Sequence, residues 1–248
     1  MEFRRQLRER PRLRERRGAR HLLFAAIVGA GCIAGCSEQA PPTGGEAASS
    51  STSAPAEATD PRPVVVCFGD SLTAGFGDEV GEDRAWPALC QAKADAAGVA
   101  VRFQNAGVSG ETTSGGLRRL AWNLKGEVAA VVLALGGNDG LRGIDLETVE
   151  SNLQEMVDQV RARHPDALVV LCGMESPPSM GEHFTTPFRE LFPRVADRND
   201  LPLVPFLLDG VGGVPELNLE DGIHPNAAGQ KKVAENVWAV LGPLLEST

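Results

Sequence analysis

Five short apolar runs, at residues 64–68, 99–105, 128–135, 167–173 and 203–206, alternate with longer stretches, at 86–97, 113–123, 145–164, 186–199 and 226–245, that read as helices. This alternation restricts the chain more than any other feature of its sequence. A strand, a helix and a second strand join parallel neighbours through a crossover, and a parallel sheet must be covered on both faces. In the stretch 145–164, Val149, Leu153, Met156, Val157 and Val160 fall on one side of a helix, the side such a sheet would bury. The expectation is an α/β fold on a parallel sheet of five strands. Sites in such folds form beyond the carboxyl ends of the strands. The segments leaving the first three strands, GDSLTAG, AGVSGETT and GGNDGLRG, and the segment LEDGIHPN before the last helix, are therefore where chemistry is expected.

The first sixty residues differ in character. Nine Arg and three Glu within residues 1–20 precede an uncharged run, LLFAAIVGAGCIAGC, too short to span a bilayer as a helix of about 20 residues. Ile33-Ala34-Gly35-Cys36 resembles a bacterial lipobox. Residues 1–35 are then expected to be a lipoprotein signal peptide, and residues 36–62 a lipidated Cys36 with a disordered tether of Ser, Ala, Pro, Thr, Gly and Glu. Residues 63–248 are left as the folded domain. Such a tether would set the domain about 25 to 30 Å from its anchor on average. The formal charge of −9 would become −15 on loss of residues 1–35. That surface excludes nucleic acid as a partner and gives no electrostatic hold on anionic lipid, so membrane attachment would rest on the acyl chains at Cys36. The expected location is the cell envelope, lipid-anchored and facing the periplasm, with the domain a monomer. Cys67, Cys90 and Cys172 remain; Cys67 and Cys172 lie in apolar strand-like runs and read as buried inert thiols, and the odd number argues against a full disulfide framework while leaving a single bridge open.

A serine hydroxyl is a weak nucleophile and needs a base within hydrogen-bond reach, itself oriented by an acid. Ser71 follows the first strand. Of the four histidines, His21 lies in the leader, His164 ends a helix before Pro165, and His183 sits in the loop-like SPPSMGEHF with no acid placed to orient it. His224 follows Asp221 by three residues, Gly222 permits a tight turn between them, and Pro225 is placed to start the last helix. His224 and Asp221 are thus the expected base and acid. The oxyanion formed by attack needs donors. The Ser71 N–H, the N–H of Gly110 and the side-chain amide of Asn138 are the candidates, with Asp139 read as a helix cap. Ser109 lacks this context and is not expected to attack. Residue 73 is Thr, so the Gly-x-Ser-x-Gly elbow is absent. No phosphate loop or metal-spaced histidine pair is present in the sequence, and the chemistry calls for no cofactor.

These four blocks, Gly69-Asp70-Ser71-Leu72, Gly110, Gly136-Gly137-Asn138-Asp139 and Asp221-Gly222-Ile223-His224-Pro225, resemble those of the GDSL-type serine hydrolases of the SGNH superfamily. The strings NAGVSGETTSGGLRRL, LALGGNDGLRG, PFRELFP and DGIHPN are similar to the bacterial periplasmic thioesterase, protease and lysophospholipase group and its arylesterase relatives, over nearly all of residues 63–245. The resemblance implies a three-layer α/β/α flavodoxin-like sandwich with strand order 2-1-3-4-5. It also implies a triad of Ser71, Asp221 and His224, with oxyanion donors at Ser71, Gly110 and Asn138. The implied activity is hydrolysis of acyl esters, lysophospholipids or thioesters.

Substrate is less constrained. Met174, Met180, Phe184, Phe188 and Phe192 would suit an acyl chain or an ordinary core, and Pro177-Pro178 a stiff rim or a simple connection. Two other readings keep the same fold: a lipid- or ligand-binding lipoprotein without turnover, and a polysaccharide O-deacetylase.

Overall fold

The structure, a computed structural model, describes residues 60–247. The expected leader, Cys36 and the expected tether as far as residue 59 lie outside the described residues. The last residues of the expected tether are placed: Asp60 pairs with Arg62 at 2.7 Å, and Arg62 also reaches Asp95 at 3.3 Å.

Strands β1 (Val64–Gly69), β2 (Arg102–Gly107), β3 (Val128–Ala134), β4 (Leu168–Cys172) and β5 (Leu203–Val204) form one parallel sheet in the order β2-β1-β3-β4-β5. Helices cover both faces, giving three layers. Helix α3 (Trp86–Ala97) packs on α8 (Ala227–Glu246), while α4 (Thr113–Asn123) packs on α6 (Leu146–Arg163) and α6 on α7 (Glu182–Arg198). Val149, Leu153, Met156, Val157 and Val160 are fully buried, as the helical period requires, together with Phe68, Trp86, Leu133, Leu171, Phe188 and Phe192. Each such large side chain contributes about 1.5 to 3 kcal/mol through burial. Cys67, Cys90 and Cys172 are free and buried, and desolvation pushes their thiols up, that of Cys90 to about 12, so they stay protonated and unreactive.

Two element starts depart from the sequence expectation by three residues or more. β2 begins at Arg102 rather than residue 99. Helix α3 ends on Gly98 with φ 72°, and the Val99 N–H bonds back to Ala94 and that of Val101 to Val99, so the apolar run first turns the chain. Helix α7 starts at Glu182 instead of residue 186, with Pro187 and Pro193 inside it. Burial of Phe188, Leu191, Phe192 and Val195 on its inner face offsets the hydrogen bonds the prolines remove. The short helices α1 (Ser71–Ala74), α2 (Gly81–Arg84) and α5 (Gly137–Arg142) fall where no period was readable.

Register sets the site. Gly69 of β1 lies opposite Gly107 of β2 and Ala134 of β3, so the loops leaving three adjacent strands start at one height. From β1 the chain passes to β2 on one side and then to β3 on the other, which opens a crevice at the carboxyl edge. Closeness here demands a residue without a side chain: a Cβ on Gly107 would stand 2.3 Å from the Ala74 nitrogen.

Candidate active site

Ser71 is the first residue of α1, where a helix N–H has no intrahelical acceptor. Asp70 caps the turn, its Oδ1 accepting from the Leu72 N–H at 3.0 Å. Buried Gln230 of α8 donates to the Leu72 carbonyl at 3.3 Å and accepts from the Trp86 N–H at 2.9 Å, which ties this turn to two helices. The side chain of Ser71 is therefore carried on a braced support, 7% exposed at the floor of a cleft.

The fourth segment supplies the base. Gly222, at φ 68°, turns the chain so that Asp221 Oδ1 accepts from the Ile223 and His224 backbone N–H groups at 2.9 and 3.0 Å. Asp221 Oδ2 then lies 2.7 Å from His224 Nδ1, and His224 Nε2 lies 2.9 Å from Ser71 Oγ. Partial desolvation would raise the Asp221 carboxyl, but the His224 and Ile223 N–H groups and the imidazole outweigh it and hold it at about 2. Asp221 is thus an anion through the physiological range, bound to the nitrogen that must carry a proton when Nε2 accepts one. Pro225 does not start the last helix: it forms a bridge with Asn218, and Asn226 caps α8 by accepting from the Ala228 and Gly229 N–H groups.

Gly110 and Asn138 line the same cleft as Ser71 and His224. Gly110 has φ 78°, which favours glycine, and its carbonyl accepts from Arg142 at 3.0 Å. The loop is tied to the nucleophile strand, because the Gly69 carbonyl accepts from both the Val108 N–H and Arg119 Nη2, each at 3.0 Å. Arg119 also pairs with Glu111 and lies over the Phe68 ring. Asn138 Nδ2 donates to Asp70 Oδ2 at 3.1 Å. Asp139 does serve a helix end, but of a neighbouring helix: its carboxylate accepts from the Thr113 N–H at 2.9 Å and the Thr113 hydroxyl at 2.7 Å at the start of α4. His164 lies apart, its ring nitrogen 3.4 Å from the Leu124 carbonyl. Among the described residues no group of three or more His, Cys, Asp or Glu could hold a metal ion.

The cleft holds about 620 Å³ and is walled by Phe76, Leu141, Met174, Phe206, Leu208 and Ile223, with Pro177 and Pro178 along it. The readable Met and Phe cluster divides: Met174 faces the cleft, whereas Phe188 and Phe192 are fully buried and press on the spaces left by Gly140 and Gly136. Sequence reasoning missed Phe76, whose ring stacks on His224 with centroids 4.2 Å apart, and the side-chain role of Asp70. Asp70 adjoins Ser71 and Phe76 follows in the same segment, but each meets its partner only across the fold, so neither contact carried a local sequence signal.

A hydroxyl, an imidazole and a carboxylate in relay, with the hydroxyl inside an apolar cleft, is the arrangement by which serine hydrolases activate a nucleophile. The chain belongs to the GDSL-like lipase/acylhydrolase family, whose model matches residues 67–232. It is 42% identical over 182 residues to the esterase TesA of Pseudomonas aeruginosa, covering 73% of this chain and 89% of that protein. It is 35% identical over 182 residues to thioesterase 1/protease 1/lysophospholipase L1 of Escherichia coli K12, covering 73% and 84%. A crystal structure of the esterase EstA from Pseudoalteromonas sp., inhibited by monoethylphosphonate, matches with a TM-score of 0.67 at 30% identity, over 73% of this chain and 98% of that one.

Proposed function

We propose that this chain is a serine esterase that cleaves carboxylic esters of apolar acyl groups through an acyl-enzyme on Ser71. His224 Nε2 takes the Ser71 proton as Oγ bonds to the acyl carbon, and Asp221 stabilises the imidazolium. The carbonyl oxygen, now an anion, is held by the N–H groups of Ser71 and Gly110 and by the Asn138 amide. The bond to the leaving alcohol or thiol breaks as His224 returns the proton to it. Water then attacks the acyl-enzyme, giving its proton to His224, and Ser71 leaves with that proton while the acid departs. The observation carrying this reading is the continuous relay from Ser71 Oγ to His224 at 2.9 Å and on to Asp221 at 2.7 Å, opening on a cleft that holds about 620 Å³. Asn138→Ala is expected to lower kcat by about 10²- to 10³-fold, the usual scale for one oxyanion donor, with KM little changed. Steady-state kinetics on p-nitrophenyl esters checks this, and an unchanged kcat would remove Asn138 from the reaction.

The walls support a choice of acyl group. Phe76, Leu141 and Ile223 are 44%, 42% and 44% exposed, so large apolar side chains face water at the mouth. An acyl chain lying on them would be removed from water at about 0.8 kcal/mol per methylene, close to fourfold in affinity. Across acetyl, butyryl, hexanoyl and octanoyl esters, kcat/KM is expected to rise with chain length until the walls are covered. A sharp preference for acetyl would defeat the apolar-cleft reading and favour deacetylation.

Residues 1–35 act, on this reading, as a lipoprotein leader, with Cys36 the lipid-bearing residue and 37–62 the tether. The basic start, the short apolar run and the Ile33-Ala34-Gly35-Cys36 string support this reading and, with it, a location in the cell envelope. Mass analysis of the N-terminal peptide from membranes tests it: a diacylglyceryl Cys36 is expected, and an unmodified Met1 start would contradict it.

A further inference from the structure

Asp70 precedes the nucleophile, is 1% exposed, and takes no part in the relay. Its two oxygens have separate partners: Oδ1 accepts from the Leu72 N–H at 3.0 Å, and Oδ2 from Asn138 Nδ2 at 3.1 Å. Packing from the β3 side is close, since a Cβ on Gly137 would stand 3.3 Å from Oδ2. Capping α1 does not by itself call for a carboxylate, because serine or asparagine caps a helix as well. Burying a charge costs stability that a neutral cap does not. Desolvation pushes this carboxyl up to about 6, against the pull of the Leu72 N–H, the Asn138 amide and His224, while Asp139 pushes it up further. Above that value the carboxylate is a buried anion at a turn that a neutral cap could also hold.

The second oxygen adds orientation. A primary amide has two N–H bonds and one carbonyl oxygen on a single rotor, and a flip exchanges donors for the acceptor. We infer that Asp70 is a positioning residue for Asn138: by holding one amide N–H in a charge-assisted bond, it aims the other into the cleft and excludes the flipped amide. The flipped form would set the Asn138 oxygen against the developing anion. Because Oδ1 is bound to the turn that carries Ser71, donor and nucleophile are also fixed to each other. This rests on the oxyanion role given to Asn138 above.

A double-variant cycle on p-nitrophenyl ester hydrolysis at pH 8 tests it. Asp70→Ser keeps a short acceptor for the Leu72 N–H but cannot span to Asn138, and Asp70→Asn keeps size without charge. Each is expected to lower kcat about 10- to 100-fold, with KM within about threefold, when Asn138 is intact. In the Asn138→Ala background each is expected to lower kcat by less than about twofold, because the group Asp70 acts through is gone. Both are expected to melt no lower than the parent at pH 8. A carboxyl with a raised folded-state pKa destabilises the fold once pH has risen past that value, so removing it relieves the penalty. Equal losses in both backgrounds, no loss with Asn138 intact, or failure of both variants to fold would overturn the inference. An Asn138→Ala variant with unchanged kcat would instead remove the oxyanion reading beneath it, and the inference with it.

Discussion

Ser71→Ala is expected to lower kcat/KM for p-nitrophenyl esters by about 10⁴- to 10⁶-fold while leaving the melting temperature within about 2 °C of the parent. Loss of the Oγ removes the atom that bonds to the acyl carbon, and water at that position lacks both its proximity and its activated proton. Some rate above the uncatalysed reaction is expected to survive, because the donors proposed at Gly110 and Asn138 do not depend on the hydroxyl. Stability is spared for a structural reason. The Ser71 hydroxyl bonds His224, whereas the turn is held by Asp70 Oδ1 on the Leu72 N–H and by Gln230 on the Leu72 carbonyl. A rate within tenfold of the parent would exclude Ser71 as nucleophile, whatever its neighbours.

His224→Ala is expected to cost about as much, roughly 10⁴- to 10⁶-fold, and the Ser71→Ala, His224→Ala double variant to lose no more than the worse single. The two side chains act as a unit: without the imidazole the hydroxyl stays protonated, and without the hydroxyl the imidazole has nothing to activate. Losses that multiplied would mean the residues serve separate steps. The imidazole is removable without unfolding its loop, since Asp221 Oδ1 binds backbone N–H groups of Ile223 and His224 rather than the ring. Loss of the ring also leaves Phe76 without its stacking partner at 4.2 Å, so a modest change in KM is expected beside the collapse of kcat.

The sheet was legible because buried parallel strands are short and uniformly apolar, and β1 and β3 stand almost where those runs lie. β2 was not, because residues 99–101 continue an apolar run while Gly98 is still turning the chain. A single-turn helix such as α1 has too few residues to show a period. Ser71, Gly110, Asn138, Asp221 and His224 were readable because each sits in a segment of small and polar residues at a strand or helix end. The structure brings Ser71, His224 and Asp221 into hydrogen-bond contact and sets Gly110 and Asn138 in the same cleft. Contacts made across the fold left no local trace. Asp70 meets Asn138 only through the β1 to β3 register, and Phe76 meets His224 only once the first and fourth segments converge. The cleft walls come from separate loops for the same reason, while the contiguous Phe188 and Phe192 turn inward on α7.

Covalent trapping with a fluorophosphonate, followed by peptide mapping, tests the central claim most directly. One phosphonyl adduct on the peptide bearing Ser71, with esterase activity lost in step with labelling, is the result expected. An adduct on Ser109 or another residue with the same loss, or full activity after complete modification of Ser71, would contradict it.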